Sequence, residues 1–98
     1  MLDDIAALEV LAKTYFDGLY EGDADKLRSI FFHNSALAQI VEGDVSITPC
    51  ATWLERIASR PSPRSQGLER DDHILTIDVV GPNLAHLKVK CAICLLYT

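Results

Sequence analysis

Tyr15, three histidines, a Cys-x-x-Cys pair and four arginines around one loop are the side chains of this 98-residue sequence whose types could do chemistry. His73 follows Asp71 and Asp72, and a neighbouring carboxylate favours a protonated imidazole, which is how a histidine is tuned as an acid or base. At the first position of a strand such a histidine is more often solvated. His33 comes after Phe31-Phe32 and before Asn34, the setting of a helix-to-strand turn, and proton transfer there would need a partner within hydrogen-bond reach. His86 alternates with Lys88 and Lys90, which marks solvent, a subunit contact or an anion-facing surface. Cys91 and Cys94 resemble half of a zinc or redox motif, but residues three apart on a strand point to opposite faces. No metal and no cofactor is therefore expected. Arg56, Arg60, Arg64 and Arg70 could hold an anion by paired N–H contacts, although a loop of this kind is usually just solvated. Tyr15 lies on an apolar stripe, where a buried phenol needs a partner for its hydroxyl whether or not it acts on a ligand.

The elements that must position these groups follow from hydrophobic spacing. Ile5, Leu8, Ala12, Tyr15, Phe16 and Leu19 recur at helical intervals and predict a helix over residues 4–21, capped by Asp3 or Asp4 and ended by Gly22. Asp23 then caps a short helix over 24–32, with Leu27, Ile30 and Phe31 on one side. Residues 36–41 and 45–47 read as a hairpin around Glu42-Gly43-Asp44. Thr48-Pro49 opens a helix with Pro49 at its first position and Cys50, Trp53, Leu54 and Ile57 as its apolar face. Residues 60–67 hold two prolines and no apolar period, so they form a loop. In the strand over 72–80, Leu75, Ile77 and Val79 alternate against Ile74, Thr76 and Asp78, which puts His73 on the side of Leu75 and Ile77. A last strand over 85–93 sets Ala85, Leu87, Val89, Cys91 and Ile93 against His86, Lys88 and Lys90.

Composition narrows the function classes. Ninety-eight residues with 49% hydrophobic content make one domain, 1–98, with enough apolar mass for a packed core. A net charge of −5 argues against a nucleic-acid partner, because neutralising phosphates needs a basic surface. No run is long and apolar enough to span a bilayer, and Met1-Leu2-Asp3-Asp4 lacks the basic start of a secretory signal. With three cysteines, this favours a cytoplasmic protein that has neither a membrane nor a nucleic-acid partner. Cys94 to Thr98 stay apolar with no turn signal, so the C-terminal strands read as truncated, or completed by another copy of the chain.

Helix, short helix, hairpin, helix and a long antiparallel pair, in that order, resemble the nuclear transport factor 2-like superfamily. The residues that carry the resemblance are Tyr15-Phe16-Asp17-Gly18-Leu19-Tyr20-Glu21-Gly22-Asp23, Phe31-Phe32-His33-Asn34-Ser35-Ala36, and Thr48-Pro49 with Trp53-Leu54. The chain is similar to small bacterial members described as putative lumazine-binding, beside the polyketide-cyclase-like and steroid-isomerase-like branches. The resemblance implies an α+β cone in which N-terminal helices pack on a curved antiparallel sheet around an apolar pocket, and a homodimer joined through the sheet face is expected. It also implies a role for Tyr15, whose spacing from Gly22 matches the oxyanion-holding tyrosine of the isomerase branch. The general base of that branch falls at Gln39 or Ile40, and neither takes a proton.

Fold alone does not assign function, so the site must. The first reading is a small-molecule binding protein for an apolar or aromatic ligand, held in a pocket lined by Tyr15, Leu19, Phe32, Trp53 and Ile57. The second is a dehydratase, cyclase or isomerase using Tyr15 with His33 or His73. The third is a dimeric module without a ligand. The first is preferred because aromatic and aliphatic walls with few charges favour holding over turnover.

Overall fold

The computed structural model describes residues 2–91, and the expectations for Ile93, Cys94 and the apolar C-terminal residues lie outside the described residues. Three helices and two antiparallel hairpins follow one another: α1 (Leu2–Glu21), α2 (Ala24–Arg28), β1 (Ala36–Val41), β2 (Asp44–Pro49), α3 (Cys50–Ser59), β3 (Asp72–Gly81) and β4 (Leu84–Cys91). The fold is α+β, as the resemblance implies.

Helix α1 is described from Leu2, so Asp3 and Asp4 lie within the helix instead of capping it. Its end follows the sequence signal. Gly22 takes the left-handed conformation at φ +68°, and the Asp23 N–H reaches back to the Gly18 carbonyl at 2.9 Å. Asp23 then caps α2 by accepting the Lys26 N–H at 3.1 Å. Helix α2 stops at Arg28, four residues short of the expected 32. Ser29 turns its hydroxyl onto the Lys26 carbonyl at 2.6 Å, and Ile30 donates to Leu27 in a tighter turn, so local bonds replace further helix. The close fit of α1 on α2 rests on Gly18, where a Cβ would stand 2.7 Å from Leu27 Cγ and Cδ2. Leu27 is completely buried there.

The β1–β2 hairpin turns at Glu42-Gly43, both with positive φ, which is the backbone a two-residue hairpin loop requires. Pro49 is the last residue of β2 and the N-cap of α3, one place before the first-turn position expected of it. The register places Ala36, Ala38 and Ile40 opposite Pro49, Ile47 and Val45, so one face of this hairpin is wholly apolar. That face meets water: Ile40, Val45 and Ile47 are each about 70% exposed.

The β3–β4 hairpin departs from the expected alternation at two places, at Leu75 and at Val80 just before the turn. His73 pairs with Lys90 and Ile74 with Val89, but Thr76 pairs with Lys88, so Leu75 is an extra residue in a bulge. The alternation resets there. Ile74, Ile77 and Val79 share an inner face with Val89, Leu87 and Ala85, while His73, Thr76 and Asp78 share the outer face with the lysines and His86. His73 therefore lies on the side opposite to the one its spacing predicts. Among the described residues no ladder joins the two hairpins. Helix α3 and the loop of residues 60–71 lie between them in the chain.

The core is small. Leu19, Leu27, Cys50, Leu54 and Ile57 form one buried cluster from all three helices, with Tyr15, Phe31, Trp53 and Cys91 packed against it. No helix among the described residues is long and apolar enough to cross a membrane.

Candidate functional site

Five residues carry the expected apolar pocket, and the structure divides them. Leu19 and Ile57 are buried in the core cluster. Tyr15 and Trp53 are half-buried at its edge, joined through Phe31. The Tyr15 and Phe31 rings meet edge-on at 5.9 Å and 72°, and the Phe31 and Trp53 rings at 5.4 Å and 79°. Phe32 is 66% exposed, its ring tilted 49° against the His33 ring at 4.5 Å, in the turn before β1. Four of the five thus converge on one region, and Phe32 points away from it. Phe31, the preceding residue, fills the place in the aromatic row.

The residues of the catalytic reading are not brought together. His33 lies in that exposed turn. His73 is exposed on the outer face, its Nε2 2.6 Å from Asp71 Oδ1, with Lys90 Nζ 4.0 Å from the other Asp71 oxygen. His86 is exposed on the same face. Tyr15 belongs to the core side of the molecule, so no histidine among the described residues shares its environment. Among the described residues no three histidine, cysteine or acidic side chains group as a metal site.

A polar group that spacing alone did not assemble bridges α1 and the head of the inner face of β3–β4. Arg70, at the end of the 60–71 loop, donates through Nη2 to Asp17 Oδ1 at 2.9 Å and through Nη2 and Nε to Asp72 Oδ2 at 2.7 and 2.8 Å. Its guanidinium carbon lies 4.9 Å from the centre of the Tyr20 ring, a cation over an aromatic face. Lys13 holds the second Asp17 oxygen at 2.7 Å. The Asp17 and Asp72 side chains are only 16% and 12% exposed. The Lys13 hydrogen bond is the largest influence holding the Asp17 carboxyl below its ordinary pKa, with Arg70 adding to it against the opposing effect of burial. Burial works against the charge on Arg70, but the bonds to Asp17 and Asp72 outweigh it and raise its pKa. Asp72 faces Cys91 across the ladder, and the Cys91 thiol reaches Asp72 Oδ1 at 3.7 Å.

This arrangement fixes the start of β3 against the last turns of α1. The same loop is tied to α1 by the Arg64 N–H on the Tyr20 carbonyl at 3.0 Å and by Ser62 packed on Gly22. From Asp72 and Cys91 the inner face runs outward as an apolar track, with Val89, Ile77 and Leu87 half-buried, and Ile74 and Val79 each 37% exposed. Elsewhere, an open polar hollow lies between the α1–α2 junction and α3, bordered by Glu21, Asp23, Asp25, Arg28 and Arg64. Lys26 pairs with Glu21 and Arg28 with Asp25 around it. It is not the apolar pocket that the sequence implies. The arginines around the loop were visible in the sequence, but their use was not: Arg70 serves two carboxylates of this chain instead of an incoming anion.

Comparison with known proteins bears on this geometry. The family described as "putative lumazine-binding" matches residues 3–97. No curated protein matches the sequence. The fold is similar to the crystal structure of an NTF-2 like protein of unknown function from Silicibacter pomeroyi, with a TM-score of 0.74 and 22% identity over 91% of this chain and 71% of that one. At that identity the likeness establishes the nuclear transport factor 2-like fold.

Proposed function

The chain belongs to this putative lumazine-binding family, and from that premise we propose that it is a small-molecule binding protein. Its ligand would be an apolar or aromatic compound, seated between α1 and the inner face of β3–β4. One observation carries the reading: an apolar sheet face runs outward from a core edged by Tyr15, Phe31 and Trp53, and is left partly open to water. An apolar wall with one polar end suits a small-ligand site. In this reading Tyr15 and Trp53 touch the ligand, and Leu19 and Ile57 back them from the core. Phe32 would reach it only by turning from its place on His33. The enzyme reading has less support, because Tyr15 and the histidines lie in different environments.

Trp53 is the single tryptophan, so its emission reports on the proposed wall directly. Titration with the neutral fluorophore N-phenyl-1-naphthylamine should quench Trp53 by energy transfer and raise the thermal midpoint, since a ligand that binds only the folded state stabilises it. If neither emission nor midpoint moves with this probe, with lumazine or with riboflavin, the binding reading is wrong. A homodimer belongs to the same proposal. Its support is the exposed apolar face of β1–β2, a surface that a second copy would remove from water. Sedimentation as a monomer at micromolar concentration would contradict it.

A further inference from the structure

We infer that Asp72 is the polar anchor of this site, and that its Oδ1 takes an N–H donor from the edge of an uncharged aromatic ligand. The inference rests on the binding reading above and adds to it the chemistry of the ligand's polar end. Its ground is an imbalance on one carboxylate. Both Arg70 bonds to Asp72 land on Oδ2, at 2.7 and 2.8 Å. Among the described residues Oδ1 has only the Cys91 thiol at 3.7 Å, and a thiol is a weak donor. The side chain is 12% exposed, so water has little access to supply the missing bonds. A shielded carboxylate oxygen that lacks a good donor gains more from a ligand N–H than a solvated one would.

Position gives the oxygen its use. Asp72 and Cys91 face each other at the head of the inner face, and the next pairs outward on that face, Ile74 with Val89 and Ile77 with Leu87, are apolar. A ligand lying along that track would present one edge to Asp72 and its body to aliphatic side chains. Charge selects among such ligands. Asp17 and Asp72 together outweigh Arg70, and Lys13, which pairs with the far oxygen of Asp17, is 77% exposed. An anionic edge would be repelled. A neutral amide or ureide edge, which offers N–H donors without a charge, fits.

Lumazine and 1,3-dimethyllumazine separate this idea from the reading on which it rests, because they share a ring system and differ in the N–H donors. Both are tested as competitors of N-phenyl-1-naphthylamine at mildly acidic pH, where lumazine is neutral. Lumazine should compete about tenfold more strongly than its dimethyl derivative, the effect of one hydrogen bond to a charged group. In Asp72→Asn, which keeps the side-chain shape, that preference should shrink to less than about threefold. Thermal unfolding and retained fluorophore binding establish that the variant is folded, and the wild-type comparison of the two competitors needs no variant at all. If the fluorophore binds but the two compounds compete equally, or neither competes, the anchor is refuted while the binding site stands. If the preference survives in Asp72→Asn, the donor goes elsewhere and the anchor is refuted. If the fluorophore itself does not bind, both the site and its anchor fall.

Discussion

Replacing Arg70 with Met removes the cation between two shielded carboxylates and keeps most of the side chain's apolar length. Asp17 retains Lys13 at 2.7 Å. Asp72 is left at 12% exposure with a 3.7 Å thiol contact. Stranding one partner of a fully buried pair costs about 3–5 kcal/mol. Arg70 itself is 37% exposed, so solvent screens part of this, and about 2–3 kcal/mol is the expected loss. For a chain of this length that is on the order of 10–20 °C in the thermal midpoint. Urea titration of Arg70→Met, Asp72→Asn and the double variant would show whether the effect belongs to the pair. The coupling should exceed about 1 kcal/mol, and Arg70→Lys should recover only part of the loss, because one ammonium cannot reproduce the paired Nη2 and Nε contacts. A single-variant loss below about 0.5 kcal/mol, or two losses that simply add, would show that the cluster is an ordinary surface ion pair and that nothing holds β3 to α1 through it.

Leu27→Ala opens a void at a completely buried side chain and should cost about 2–5 kcal/mol by urea unfolding; a cost under 1 kcal/mol would mean that Gly18 and α2 close over the gap. Gly22→Ala forces a Cβ to within 2.8 Å of Ser62 Cβ at φ +68°, and should cost about 1–3 kcal/mol with little change in the m-value. Acid should weaken the fold through Asp17. Its folded pKa lies below the ordinary 3.8, so its contribution is complete above that value and is lost as pH falls through the folded value. Asp17→Asn should therefore make the acid limb of stability shallower, and an unchanged limb would remove Asp17 from the cause.

The helices were legible because their signals are local. Gly22, Asp23 and the apolar stripe from Ala12 to Leu19 each act within a turn or two of chain, and the structure uses them as the spacing indicates. Where two local signals competed, the sequence was ambiguous: Ile30 and Phe31 continue the apolar period past Arg28, but the Ser29 hydroxyl takes a helix carbonyl and ends α2. The core face of α3 was plain from Cys50, Leu54 and Ile57, all buried. Tyr15 and Trp53, both expected on apolar faces, meet in one aromatic row through Phe31. Phe31 and Phe32 were not separable, since adjacent aromatic residues at a helix end differ only in where the chain turns next.

The candidate site shows the limit of pattern reading more sharply. Strict alternation puts His73 beside Leu75 and Ile77, and on that basis a histidine would face the core side of the sheet. One inserted residue, Leu75, reverses this, because a slip of one position exchanges the two faces of a strand. Leu, Ile and Val around the bulge carry no mark of it, since each suits either face of a strand. The same slip has a second consequence. It leaves Asp72, not His73, turned towards α1, where Arg70 from the loop and Asp17 from the helix meet it. Asp71-Asp72-His73 in the sequence offers a carboxylate beside an imidazole as a candidate acid-base pair. The fold keeps one such pair and splits off the other carboxylate: Asp71 and His73 meet at the outer surface, and Asp72 turns to the inner face. What the register leaves on the apolar side is a carboxylate with one weakly occupied oxygen, the group that in the proposed site would orient a ligand.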